Sequence, residues 1–118
     1  MRPNPARVEE LYSLAANTLY DKKVRLEYSA QLIALYREYI SEIATKLRKE
    51  YQDSSVDLAA LAQEGAIGIL DALSSLSLSA LYPTYASWVE KHIRKSIRKR
   101  LDDEARVRNR DRKPWKMN

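Results

Sequence analysis

Apolar residues recur at helical spacing along most of the 118-residue chain, in blocks separated by polar breaks. Asn4-Pro5 reads as an N-cap with proline at the first helical position. Val8, Leu11, Tyr12, Ala15 and Leu19 then mark one face of a helix over about residues 5–20, ended by Asp21-Lys22-Lys23. A second stripe, Leu26, Ala30, Ile33, Tyr36, Ile40, Ile43, Leu47 and Tyr51, predicts one long helix from about Arg25 to Tyr51. Glu38, Glu42, Lys46, Arg48 and Lys49 fall outside that stripe as a solvated face. Gln52-Asp53-Ser54-Ser55 is turn chemistry, and Asp57 or Ser55 caps a third helix. That helix carries Leu58, Leu61, Ala62, Ile69, Ala72, Leu73 and Leu76 on one face. Ser74–Ser79 alternates serine with leucine, but no segment of the chain offers it a partner strand, so it reads as helix end and loop.

The last predicted helix spans about Pro83 to Asp103. Tyr85, Val89, His92 or Ile93, Ser96, Ile97 and Leu101 face inward; Lys91, Arg94, Lys95, Arg98 and Lys99 face out. From Arg106 onward nothing can bury a core, which predicts disorder or folding on a partner, with Trp115 an exposed anchor between Lys113 and Lys116. The pattern predicts an all-α fold, a compact bundle of about four helices. Residues 1–24 form an N-terminal helix and linker, 25–103 the core helical domain, and 104–118 a basic tail.

Both glycines of the chain, Gly65 and Gly68, interrupt the third helix. A helical glycine costs about 1 kcal/mol relative to alanine, and close approach of another backbone is its usual reason. Tight packing against a second helix of the same chain is the reading that spacing favours. A docking surface for a partner is the other, with Gln63 and Glu64 beside the glycines.

The run LAQEGAIGIL at residues 61–70, followed by TYASW at 84–88 and an isoleucine/basic helix, resembles the promoter-melting core domain of bacterial sigma factors, their second conserved region. Leu61, Gln63, Glu64, Gly65, Ile67, Gly68, Ala72, Tyr82, Thr84, Tyr85, Ala86, Trp88, Val89 and Ile93 carry the resemblance, which covers about two thirds of the chain. It implies a helix that docks on the clamp coiled coil of the largest RNA polymerase subunits, through Gln63, Glu64, Ile67 and Leu70, with Asp57 as the nearby acid. It also implies that Tyr82, Tyr85 and Trp88 catch flipped bases of the −10 promoter element. The chain departs from the family at Ala60 and Ala66, where an acid and an asparagine are usual, and keeps one of two paired tryptophans, Trp88.

Charge sharpens this picture. Residues 90–118 carry a net +7, whereas residues 1–89 carry a net −2. A basic quarter on a mildly acidic body points to a polyanion partner. Lys91, Arg94, Lys95, Arg98 and Lys99 would each add a salt-dependent increment by neutralising a phosphate, and unpaired bases stack on Tyr or Trp. Absent cysteine suits a reducing compartment, and no apolar run approaches a membrane span, so the expected location is cytoplasmic. His92, the only histidine, has no metal-spaced companion. No nucleophile has a recognisable base and no glycine loop cradles phosphate, so neither catalysis, metal nor cofactor is expected.

The expected function is that of a sigma-like initiation factor that docks on RNA polymerase and engages −10 DNA. The chain carries no helix-turn-helix for the −35 element, so a second protein would supply that contact. The alternative is a sigma-like binding module or polymerase-clamp competitor that no longer reads promoter sequence. A peripheral membrane protein using Trp88, Val89, Ile93 and Ile97 ranks below both.

Overall fold

Asn4 caps the first helix as its sequence predicts: its Oδ1 accepts the Ala6 N–H at 2.9 Å, and Pro5 occupies the first turn. The computed structural model describes residues 2–53 and 55–112. Five helices follow in order: α1 (Pro5–Ala16), α2 (Lys22–Leu35), α3 (Arg37–Glu50), α4 (Leu58–Ser74) and α5 (Tyr85–Arg112). No strand occurs among the described residues, and the Ser75–Ser79 stretch is irregular. Asp21 caps α2 through the Val24 N–H at 3.0 Å, and Asp57 caps α4 through the Ala59 N–H at 3.0 Å.

Where one long second helix is expected, two are found. The break falls at Tyr36, whose φ of −91° and ψ of 4° leave the helical range. Its N–H is shared between the Leu32 and Ile33 carbonyls, while its own carbonyl still receives the Ile40 N–H at 2.8 Å. The chain therefore bends without losing its ladder, and the Tyr36 ring is wholly buried at the bend. The bend also redirects the start of the stripe: Leu26 is 55% exposed, and Ala30 is exposed.

Val8, Leu11 and Tyr12 of α1, Leu32 of α2, Ile40 and Leu47 of α3, Leu61 and Ile69 of α4, and Val89, Ile93, Ile97 and Leu101 of α5 form one core. Helices α4 and α5 make the most extensive pair, and α1 packs chiefly on α2. Gly65 and Gly68 set the approach of α4 to its neighbours. A Cβ on Gly65 would lie 2.7 Å from Ile40 Cγ2, and one on Gly68 would lie 2.4 Å from the His92 carbonyl oxygen. The glycines thus serve packing within the chain.

The last helix continues to Arg112, nine residues beyond its expected end, and takes in residues 106–112, where disorder or folding on a partner is expected. The extension is anchored. Arg108 Nη1 lies 2.7 Å from Oδ2 of Asp53, a carboxylate almost wholly buried in the α3–α4 turn. Tyr51 donates its hydroxyl to Asp102 Oδ1 at 2.7 Å. Asp53 also accepts from the Ser55 N–H at 3.1 Å and from its hydroxyl. The Ser55 bond, more than the Arg108 charge, holds the Asp53 carboxyl below its ordinary value, against the opposing effect of burial. Trp115, Lys113 and Lys116 lie outside the described residues.

Candidate functional site

The α4–α5 pair carries two surfaces. On α4, positions 63, 67 and 70 follow helical spacing and point away from the core. Gln63 is exposed, Ile67 is 47% exposed and Leu70 44%. Glu64 lies on the side of α4 that faces α5, where Arg100 Nη1 reaches its Oε2 at 3.3 Å and Arg100 Nε reaches Glu104 at 3.1 Å. Asp57 is exposed but acts as the cap of its own helix. The expected docking set therefore divides. Gln63, Ile67 and Leu70 share an outward face, Glu64 is tied to α5, and the two glycines are sealed inside.

The outer side of α5 carries a shallow groove of about 690 Å³, running from Tyr82 past Lys91, Arg94, Lys95, Arg98 and Lys99 to Arg106. Lys95, Arg98 and Lys99 are exposed, and Lys91 and Arg94 are half-exposed. The five cations expected on this helix are thus gathered on one face, with Asp102 and Asp103 at its far end. Lys99 Nζ lies 4.0 Å from Asp103, an exposed pairing of little energetic weight. Lys91 Nζ sits over two rings, 4.8 Å from the Tyr82 centroid and 4.7 Å from that of Trp88.

The aromatic residues do not present themselves equally. Trp88 is 6% exposed, and its indole N–H donates to the Ala72 carbonyl at 3.0 Å. Its ring packs edge-on against His92 and Tyr82. The expectation that Trp88 stacks on an unpaired base is therefore corrected: the indole fills the α4–α5 seam and satisfies its donor there. Tyr85 is half-buried and stacked on Tyr12, centroids 4.5 Å apart. Its backbone N–H lies 3.3 Å from Glu9 Oε1, so α1 covers Tyr85 and takes it out of the groove. Tyr82 alone of the three lines the cationic groove. Val89, Ile93 and Ile97 are wholly buried, which removes the membrane-binding face. No helix among the described residues is long and apolar enough to cross a membrane.

Sequence reasoning missed what fixes the start of α5. The hydroxyl of Tyr12 also donates to the Ala72 carbonyl, so this one oxygen joins α1, α4 and α5. Burial raises the Tyr12 hydroxyl to about 12. Glu90, a buried carboxylate, pairs with Arg2 at 3.1 Å and accepts from the Tyr39 hydroxyl at 3.4 Å. Arg94 Nη1 donates to that hydroxyl at 2.8 Å, so one of the groove cations is held by the core. Burial first, then the nearby Glu90 charge, raises the Tyr39 hydroxyl above its ordinary value. His92 Nε2 is buried and has no hydrogen-bond partner among the described residues. Burial, then Lys91 and Lys95, push its imidazole below the ordinary 6.5, against a smaller opposing effect of Asp71. Among the described residues no group of histidine, aspartate or glutamate is arranged to hold a metal ion.

Compared with known proteins, the chain matches no family model, no curated protein and no solved structure.

Proposed function

We propose that this chain is a sigma-like transcription initiation module. It docks on the clamp coiled coil of core RNA polymerase through α4 and holds opened promoter DNA along α5. The carrying observation is the outward line of Gln63, Ile67 and Leu70 on α4, together with the cationic groove on the α5 helix packed against it. Ile67 and Leu70 are large apolar side chains left near half-exposed on a helix whose other faces are packed. Such positions suit a helical partner better than water. A coiled coil offers ridges of matching spacing. Exposed cations at turn spacing along α5 suit a strand of phosphates.

The burial of Trp88 favours a second reading within the same class. With one free ring, Tyr82, the groove has little means of reading several bases, and it suits a module that binds nucleic acid without promoter preference.

Pull-down of the intact protein with core RNA polymerase tests the docking. The wild-type chain is expected to be retained and Ile67→Glu/Leu70→Glu to be lost, both variants keeping their helical circular dichroism. No retention of the wild type ends the proposal. Fluorescence anisotropy with single-stranded −10 and scrambled oligonucleotides separates the two readings, since equal affinities select the non-reading module.

A further inference from the structure

A second recessed surface lies on the far side of α4. Ala15 and Ala16 at the end of α1, Leu26 of α2, and Leu70 and Leu73 of α4 form the floor of a groove of about 400 Å³. Its rim carries Lys22 and Arg25, and among the described residues no carboxylate lines it. Leu26 is 55% exposed, and Leu19, in the adjoining α1–α2 connection, is 91% exposed.

Lys22 opens α2 directly after the Asp21 cap, whose carboxylate is taken up by the Val24 N–H, and is exposed at the groove. Lys22 and Arg25 stand within residues 1–89, which are net acidic. An apolar trough with a rim of one charge sign fits an amphipathic segment bearing the opposite sign.

We infer that the α1–α2–α4 groove is a docking site for an acidic amphipathic helix of a partner protein. Leucine-type side chains of that helix fill the space between Leu26 and Leu70, and its flanking carboxylates pair with Lys22 and Arg25. Leu70 belongs both to this groove and to the outer line of α4, yet the inference stands without the polymerase reading, because its ligand is defined by charge and shape.

The test uses the full chain and a labelled synthetic 18-residue helix with leucines at i, i+3, i+4 and i+7 and glutamates on both flanks. Anisotropy should report saturable binding, weakened about tenfold or more by Lys22→Glu and by Leu26→Glu. Lys22→Glu places an acid in the first turn of α2, where the macrodipole favours it, so lost binding there does not reflect lost folding. A peptide with lysine in place of glutamate should not bind. Arg98→Glu/Lys99→Glu, on the α5 face, should leave the affinity unchanged. Equal binding of a sequence-scrambled peptide, or loss of binding only in the Arg98/Lys99 variant, overturns the inference, since either shows mere attraction of acid to the cationic α5.

Discussion

At Gly68 a methyl group would meet backbone, and at Gly65 it would meet the β-branch of a side chain. The distinction decides the outcome of substitution. Gly68→Ala drives its Cβ against the His92 carbonyl and cannot be relieved without moving α5, so a loss of about 3 kcal/mol is expected from urea unfolding. Gly65→Ala meets the β-branch of Ile40, a stiff, buried side chain that must shift with its surroundings, and the roughly 1 kcal/mol of helix propensity that alanine recovers offsets only part of that, so a smaller net loss of about 1–2 kcal/mol is expected. Equal losses at the two sites would contradict this account. The glycine spacing made close approach legible in the sequence, but not the identity of the neighbour. Trp88 shows the same limit. Its helical position suits core and groove alike, and only the Ala72 carbonyl at the end of a different helix decides between them.

Among the elements, the amphipathic stripes of α1, α4 and α5 were legible except at Leu19 and Leu76, which lie past the ends of α1 and α4 and are exposed, as were the caps at Asn4 and Asp57. The bend at Tyr36 was not, because neither glycine nor proline marks it and a buried aromatic ring sits at the turn. The length of α5 was hidden for a different reason. Residues 104–112 carry few apolar side chains, and a polar contact that crosses from another part of the chain, Arg108 to Asp53, holds them. Asp53→Asn is expected to weaken protection of the 102–109 amides in hydrogen exchange and to lower global stability by about 1–2 kcal/mol, the half-exposed Arg108 side being screened by solvent. Because the native Asp53 carboxyl titrates below its ordinary 3.8, its contribution is complete above that value. It disappears as the pH falls through the lowered native value. The acid limb of a stability–pH curve should therefore be shallower in Asp53→Asn, and an unchanged limb would sink the assignment.

For the molecule as a whole, the proposed nucleic-acid face and the aromatic seam make separate demands. Binding of a single-stranded oligonucleotide to the α5 groove should weaken with salt by about 0.7 logarithmic units per decade for each phosphate neutralised. Arg98→Gln should lower that slope by about 1 at most while leaving base preference unaltered. Tyr82→Ala should cost about 1–3 kcal/mol of affinity, and Trp88→Phe nearly none, since Trp88 is committed to the seam. A Trp88 effect as large as that of Tyr82 in a folded protein would mean that the indole leaves its seat on binding. The five-cation stripe was readable from sequence, whereas α1's role as the cover of Tyr85 needed Tyr12 and Glu9 brought together across the fold.

The touch between Gly68 and the His92–Ile93 backbone leaves no room for a shim. Two rods meeting without side-chain cushioning cannot slip lengthwise past one another, so the α4 line and the α5 groove keep a constant offset and bearing. Whatever seizes one therefore dictates, to within a fraction of a side chain, where anything lying along the other must run.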